Sequence, residues 1–211
     1  MSESLGLSLR GAPFALGKAT VLQAVGGADV SQAYAINKYG QSVGYSGSNA
    51  VLWSKSGAAT VLQNPPGVLS SYALYVNASR WSLARRPPAA ARDLVCQEAV
   101  LWSPLGKAMV LQDLDGQGYD RVSAINASRY SVGFTVTAGG GVEAVLWSPS
   151  GTATNLAAVL GPQWTNTGAV GINEQGDIVG SGVYDGGGYG FLLTPVSASP
   201  LSAAAVPEPS T

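Results

Sequence analysis

The chain has 211 residues, with 28 Gly, 12 Pro, one Cys and no His, and charged residues make up only 11% of it. Eleven Lys and Arg against twelve Asp and Glu leave a formal charge of −1, so there is no basic stripe to neutralise phosphates and nucleic-acid binding is not expected. The missing imidazole excludes Ser or Cys catalysis through a His base, the lone Cys96 excludes an internal disulfide framework, and no run of eighteen apolar residues offers a membrane-spanning helix.

Residues 1–17 form a segment distinct from the remainder of the chain. Met1 to Leu16 carries one Arg at position 10 and only short apolar pieces, a poor match to a signal peptide. From residue 18 onward the chain repeats itself. Ala-Val-Leu-Trp-Ser occurs at Ala50 to Ser54, Ala99 to Ser103 and Ala144 to Ser148, with a degenerate copy at Gly190 to Thr194. The fourth positions are Trp53, Trp102, Trp147 and Leu193, spaced 49, 45 and 46 residues apart. An Ile-Asn or Val-Asn pair precedes each copy and ends at Asn37, Asn77, Asn126 and Asn173. A third element comes after each Asn: Gly40 to Gly44, Arg80 to Ala84, Arg129 to Gly133 and Gly176 to Gly180. A fourth comes after the Trp motif and a Gly turn, at Ala59 to Leu62, Ala108 to Leu111 and Ala153 to Leu156.

Each unit therefore offers four short runs rich in Val, Ile, Leu and Trp, bounded by Gly, Asn, Pro and Ser. That is a strand pattern, and no run is long enough for a helix. Asn37 to Gly40 and Asn173 to Gly176 have the composition of tight hairpin turns, since both residue types tolerate positive φ. Arg80 and Arg129 replace the Gly in the middle units, which predicts turns of another type there. Ser103 to Gly106 and Ser148 to Gly151 read as β-turns with Pro second. The repeated Trp residues are expected to pack between neighbouring units, each indole N–H reaching a strand-end carbonyl.

Four strands per unit at a period of about 45 residues predicts an all-β, small β-propeller-like fold of four blades of four antiparallel strands. The units run over about 24–63, 64–112, 113–156 and 157–195. The last lacks a clear fourth strand, and Gly17 to Leu22 matches Gly106 to Leu111, so Ala19 to Gln23 is expected to close the ring. An open β-solenoid, or part of a larger propeller, is the alternative. Residues 196–211 have the composition of a linker.

The order Ala-x-x-Ile-Asn-x-x-Gly-x-x-Val-Gly, then Ala-x-Leu-Trp, then Gly and Leu, resembles the bacterial extracellular repeat called the HAF family, over about residues 26–194. The family's His position holds Asn49, Glu98, Glu143 and Tyr189 here. The resemblance implies an exported propeller-like repeat protein and no specific reaction. The end of the chain, Val206-Pro207-Glu208-Pro209-Ser210-Thr211, resembles the start of the PEP-CTERM sorting signal. That resemblance implies processing by a membrane export protease and delivery to an exopolysaccharide-rich surface. The apolar helix and basic cluster that come after the motif in such proteins are not among these residues, so this chain is not expected to anchor itself in a bilayer.

Together these readings point to a non-enzymatic protein of the bacterial cell surface or biofilm matrix, with a binding or structural role toward polysaccharide or another matrix component. A carbohydrate-active enzyme is the second reading, because Glu98 and Glu143 occupy equivalent positions in adjacent units and paired carboxylates perform glycoside hydrolysis. A variable solvated position accounts for the same two residues. An intracellular scaffold is the third reading. The Arg80 to Gln97 stretch contains Pro87 and Pro88, which interrupt strand pairing; a binding loop and a decayed segment both fit it. Asp113, Asp115 and Asp120 are spaced, with Gly116 and Gly118 between them, as in short calcium loops, although a polar turn between blades uses the same residues. If calcium binds there, calorimetric titration gives saturable heat; no heat at millimolar Ca²⁺ removes the site.

Overall fold

The computed structural model describes residues 19–66, 68–77, 82–86, 98–114, 116 and 119–196. The protein is all-β, built of antiparallel sheets that succeed one another along the chain. The first holds β1 (Ser31–Ile36), β2 (Ser42–Ser46), β3 (Asn49–Trp53) and β4 (Ala59–Val61) in that order. The second holds β5 (Tyr72–Val76), β6 (Ser82–Arg86), β7 (Glu98–Trp102) and β8 (Ala108–Val110). The third holds β9 (Asp120–Ile125), β10 (Ser131–Val136), β11 (Val142–Trp147) and β12 (Ala153–Asn155). A single helical turn, α1 (Ala157–Leu160), leads into a fourth sheet of β13 (Trp164–Ile172), β14 (Ile178–Tyr184) and β15 (Gly187–Leu193). Each sheet is thus one sequence unit, and its strands pair antiparallel in chain order.

Alternation along the strands sends side chains to both faces of a sheet, and in the middle of the array both faces are covered. Val43, Ala50 and Leu52 of the first sheet meet Ala73, Val100 and Trp102 of the second. On the other face of the second sheet, Ala99 and Leu101 meet Val122, Val145 and Trp147 of the third. Val132 and Ala144 meet Ala169, Ile178 and Phe191 of the fourth. Trp53, Trp102 and Trp147 are fully buried, and at about 25 cal/mol per Å² each indole contributes roughly 4–6 kcal/mol of burial. Two-sided burial leaves few places for charge, which is why so little of the chain is charged.

The recurring Val-Gly of the third element has a steric cause. The first strand of a unit carries a bulge, between Ala33 and Ala35 in β1, opposite Val132 and Gly133 in the third sheet, and between Ala169 and Gly171 in β13. A bulge bends its strand and increases the local twist, and here the bulged strand lies close against the Gly of its neighbour. A Cβ at Gly44 would overlap the Gln32 carbonyl, and one at Gly133 the Arg121 carbonyl. Only glycine lets the backbones approach that closely.

The Asn turns act as ties between sheets. Asn37 Oδ1 accepts the N–H groups of Tyr39 and Gln41, shaping its turn, while its Nδ2 donates to the Asn77 carbonyl at 3.2 Å. Asn77 Nδ2 donates to the Asn126 carbonyl at 2.8 Å, and Asn126 Nδ2 to the Asn173 carbonyl at 3.1 Å. Asn173, in the last sheet, turns to Asp177 Oδ2 instead. One turn differs from the sequence expectation. Arg129 does not change the turn type: it adopts φ 71°, close to the 76° of Gly40, and its N–H reaches the Asn126 carbonyl at 3.1 Å as Gly40 reaches Asn37 at 3.0 Å. Asn126 holds that geometry by accepting the Tyr130 N–H on its side chain. Arg80 lies outside the described residues.

The ends of the array also depart from expectation. Among the described residues the fourth sheet has three strands, the last of them β15. Residues 19–23, expected to complete it, carry no strand and lie on the first sheet: Gln23 N–H donates to the Gly57 carbonyl at 2.9 Å, and Trp53 Nε1 donates to the Gln23 carbonyl at 2.7 Å. These two short bonds place the segment. Among the described residues, β13 packs on β9, β10 and β11, and no comparable packing joins the fourth sheet to the first.

Gly133→Ala is expected to lower unfolding free energy by about 1–3 kcal/mol, the usual penalty of overpacking, read as a lower denaturant midpoint. Asn77→Ala is expected to lose about 1–3 kcal/mol by removing a buried tie, whereas Asn173→Ala, exposed and bonded within its own turn, loses under about 1 kcal/mol. Equal effects at both Asn positions would show that the inter-sheet ties carry no stability.

Candidate functional site

The inter-sheet junctions obey one local rule, and the last of them breaks it. A Leu-Gln pair comes after the outer strand: Leu22-Gln23, Leu62-Gln63 and Leu111-Gln112. The Leu is buried at the second and third of these, Leu62 and Leu111. Each Gln then bonds the next sheet twice. Gln63 N–H donates to the Gly106 carbonyl at 2.8 Å and its carbonyl accepts from Trp102 Nε1 at 2.7 Å. Gln112 N–H donates to the Gly151 carbonyl at 2.8 Å and its carbonyl accepts from Trp147 Nε1 at 2.9 Å. The expectation that each repeated indole reaches a strand-end carbonyl therefore holds for Trp53, Trp102 and Trp147, and these residues are structural ties.

At the junction of the third and fourth sheets Ala157 stands where Gln is required, and Leu193 where Trp is required. The chain turns into α1 there, its first N–H taken by Asn155 Oδ1 at 2.8 Å. A cleft of about 230 Å³ opens at this junction, lined by Gly141, Val142, Glu143, Ala157 and the run Trp164 to Thr167.

The polar groups of the cleft are held by defined partners. Asn155 Nδ2 donates to Glu143 Oε2, fixing the carboxylate from the neighbouring strand. The Val142 N–H points to Asn166 Oδ1 at 3.4 Å. Asn166 has φ 48°, a left-handed conformation that Asn tolerates better than most residues, and Thr165 and Asn166 are both exposed. Below them Thr167 is buried, and its Oγ1 accepts the Ala144 N–H at 3.0 Å, joining the two sheets at the cleft floor.

Trp164 supplies the aromatic wall. Its ring sits 5.7 Å from Phe191, edge to face, and 5.1 Å from Tyr184. Tyr184 in turn meets Tyr189 at 6.3 Å, edge to face, and Tyr184 and Tyr189 are exposed. The aromatic surface thus continues from the cleft across the end of the fourth sheet. No Lys or Arg lines the cleft among the described residues. The arrangement offers a flat apolar ring, one acceptor carboxylate, and amide and hydroxyl groups, which suits a neutral polyhydroxylated ligand better than an anion.

Of the residues singled out from sequence, Glu143 lies in this cleft, while Glu98 opens β7 on the neighbouring sheet. Asn49 opens β3, and Tyr189 belongs to the aromatic surface. Asp120 begins β9 and is buried, and Asp113 is half-buried beyond β8. Asp115 lies outside the described residues, and among those described no three His, Cys, Asp or Glu side chains gather as a metal site. Pro207, Glu208, Pro209 and most of the Arg80 to Gln97 stretch also lie outside the described residues, whereas its residues 82–86 form β6. Among the described residues no helix is long and apolar enough to cross a membrane. Sequence reading missed Trp164, Asn155 and Asn166; the signal that could have found their junction is Ala157 and Leu193 in place of the repeated Gln and Trp. No protein-family model, curated protein or solved structure matches this chain.

Proposed function

We propose that this is an exported bacterial repeat protein of the cell surface or extracellular matrix, built of propeller-type blades, that binds neutral polysaccharide in the cleft between its third and fourth sheets. The observation that carries the binding role is the Trp164 ring beside the Asn155-held Glu143 carboxylate, at the junction where the repeated ties are replaced. A sugar ring presents C–H groups on its faces and hydroxyls at its rim; an indole accommodates the first and a carboxylate with amides the second. The cleft volume is below that of pockets which engulf a whole small molecule, so a short stretch of a longer chain, extended over Tyr184 and Tyr189, is the fitting ligand. The resemblances to the HAF repeat and to the PEP-CTERM motif at Pro207 to Pro209 support export to a polysaccharide-rich surface. The propeller reading is supported by four consecutive antiparallel sheets, each packed face to face on the next, and by residues 19–23, which sit on the first sheet as the outer strand of a preceding blade would.

Affinity electrophoresis against a panel of neutral glucans, galactans and mannans tests the binding role. At least one polysaccharide should retard the wild type. Glu143→Gln is expected to weaken that interaction about 10- to 100-fold, the loss of one charge-assisted hydrogen bond, and Trp164→Phe is expected to weaken it with the circular dichroism unchanged. No retardation by any polymer, or full retention by both variants, refutes the proposal.

A further inference from the structure

The fourth sheet presents the same kind of face as the first and third, and among the described residues that face is uncovered. Within the array Val43 pairs with Leu52, and Val132 with Leu146, each pair lying under the next sheet. In the fourth sheet the equivalent pair is Val179 and Leu192. Val43 and Val132 are fully buried and Leu52 is 6% exposed, whereas Val179 is 45% and Leu192 63% exposed. Val170, from the adjacent β13, adds a third exposed apolar side chain. The same sheet lacks an outer strand, so among the described residues β15 has a ladder partner on one side only.

The complementary element is at the other end of the chain. Residues 19–23 hold the first sheet through Gln23, Gly57 and Trp53 in the way that Gln63 and Gln112 hold the second and third. They have the sequence and the ties of an outer strand but no strand pairing of their own, and Leu22 is only half-buried where its equivalents Leu62 and Leu111 are 1% and 2% exposed. The described array therefore ends in a sheet that lacks a strand, and begins with a strand-like segment that pairs with no sheet edge. Among the described residues the two ends share no strand pairing: residues 19–23 carry no strand, and β15 is bonded to β14 alone.

We propose that the uncovered face and edge of the fourth sheet are occupied by a second copy of this chain, whose residues 19–23 pair antiparallel with β15. The inference rests on the blade reading of the proposed function. The occupant follows from the chain's own construction: it docks this kind of face against this kind of strand and sheet at three internal junctions. By the register of β3 with β4, where Leu52 faces Thr60 and Val51 faces Val61, Leu192 should face Thr20 of the second copy and Phe191 should face its Val21. The contact is heterologous, so two copies either close a ring or extend as a filament, depending on the rotation between sheets.

The test uses the full chain with Cys96→Ser and the pair Thr20→Cys and Leu192→Cys, oxidised and run without reductant. Facing residues on paired strands come close enough for a disulfide. Disulfide-linked dimers or higher species are expected. Light scattering of the protein without engineered cysteines should give at least twice the chain mass, falling to one chain mass for Leu192→Asp, a change at an exposed position that leaves the fold intact. A disulfide formed within single chains overturns the second copy but keeps the blade reading, as a ring closed by one molecule. A single chain mass at every concentration likewise overturns the second copy, and no disulfide of either kind overturns the strand pairing itself.

Discussion

Everything in this molecule depends on sheets that are apolar on both faces. A small sheet of this kind cannot be stable alone in water, since each face needs a partner to remove it from solvent. The solution here is to make the partner the next copy of the same unit. The apolar contacts are non-directional and would allow neighbouring sheets to slide. The Asn and Trp bonds supply direction. The side chains of Asn37, Asn77 and Asn126 reach carbonyls about 40 to 49 residues away, and the indoles of Trp53, Trp102 and Trp147 reach the carbonyl of the Gln just before their own units. With burial supplying most of the free energy and these ties setting the register, four units of different sequence adopt one arrangement.

The same constraint explains where function can sit. A junction with its full set of ties has its strand ends and indoles already engaged across the interface. The third junction gives up the Gln and the Trp, and α1 takes the place of the tight crossover. The released space becomes the cleft, and the polar residues that line it are held by hydrogen bonds particular to this junction. Stability at this point is carried instead by the aromatic cluster of Trp164, Tyr184 and Phe191. The exposed end of that cluster and the uncovered outer face of the same sheet are two distinct surfaces, because alternate residues of β14 and β15 point to opposite sides. Ligand binding on one and self-association on the other are compatible in a single molecule.

Much of the fold was legible in the sequence, because the period was repeated. The strand runs, the Ser-Pro-x-Gly turns and the reach of each repeated indole depend on local composition, and the turn bonds from the Gly106 and Gly151 N–H groups to the Ser103 and Ser148 carbonyls are as expected. Arg129 shows the limit of that reasoning: comparison with the neighbouring units marks a Gly-specific position, but a side-chain bond from the preceding Asn holds an Arg there as well. The candidate site was less legible. Glu143 was visible as a variable position in the repeat, but Trp164 stands in a first strand whose equivalents in other units carry no aromatic at that place, so no pattern announced it.

By itself the sequence determined the all-β class of the protein, the number of its units and the residues that shape each hairpin, since these depend on alternation and turn chemistry within a few residues. Tertiary structure decided what the repeated groups touch. The Asn side chain pairs with the next Asn carbonyl, and the Val-Gly step exists because a bulged neighbour fills the space of a Cβ. Residues 19–23 are tied to the first sheet and form no strand on the last. Those are contacts between residues far apart in the chain, and their partners are set by packing geometry that no local window contains.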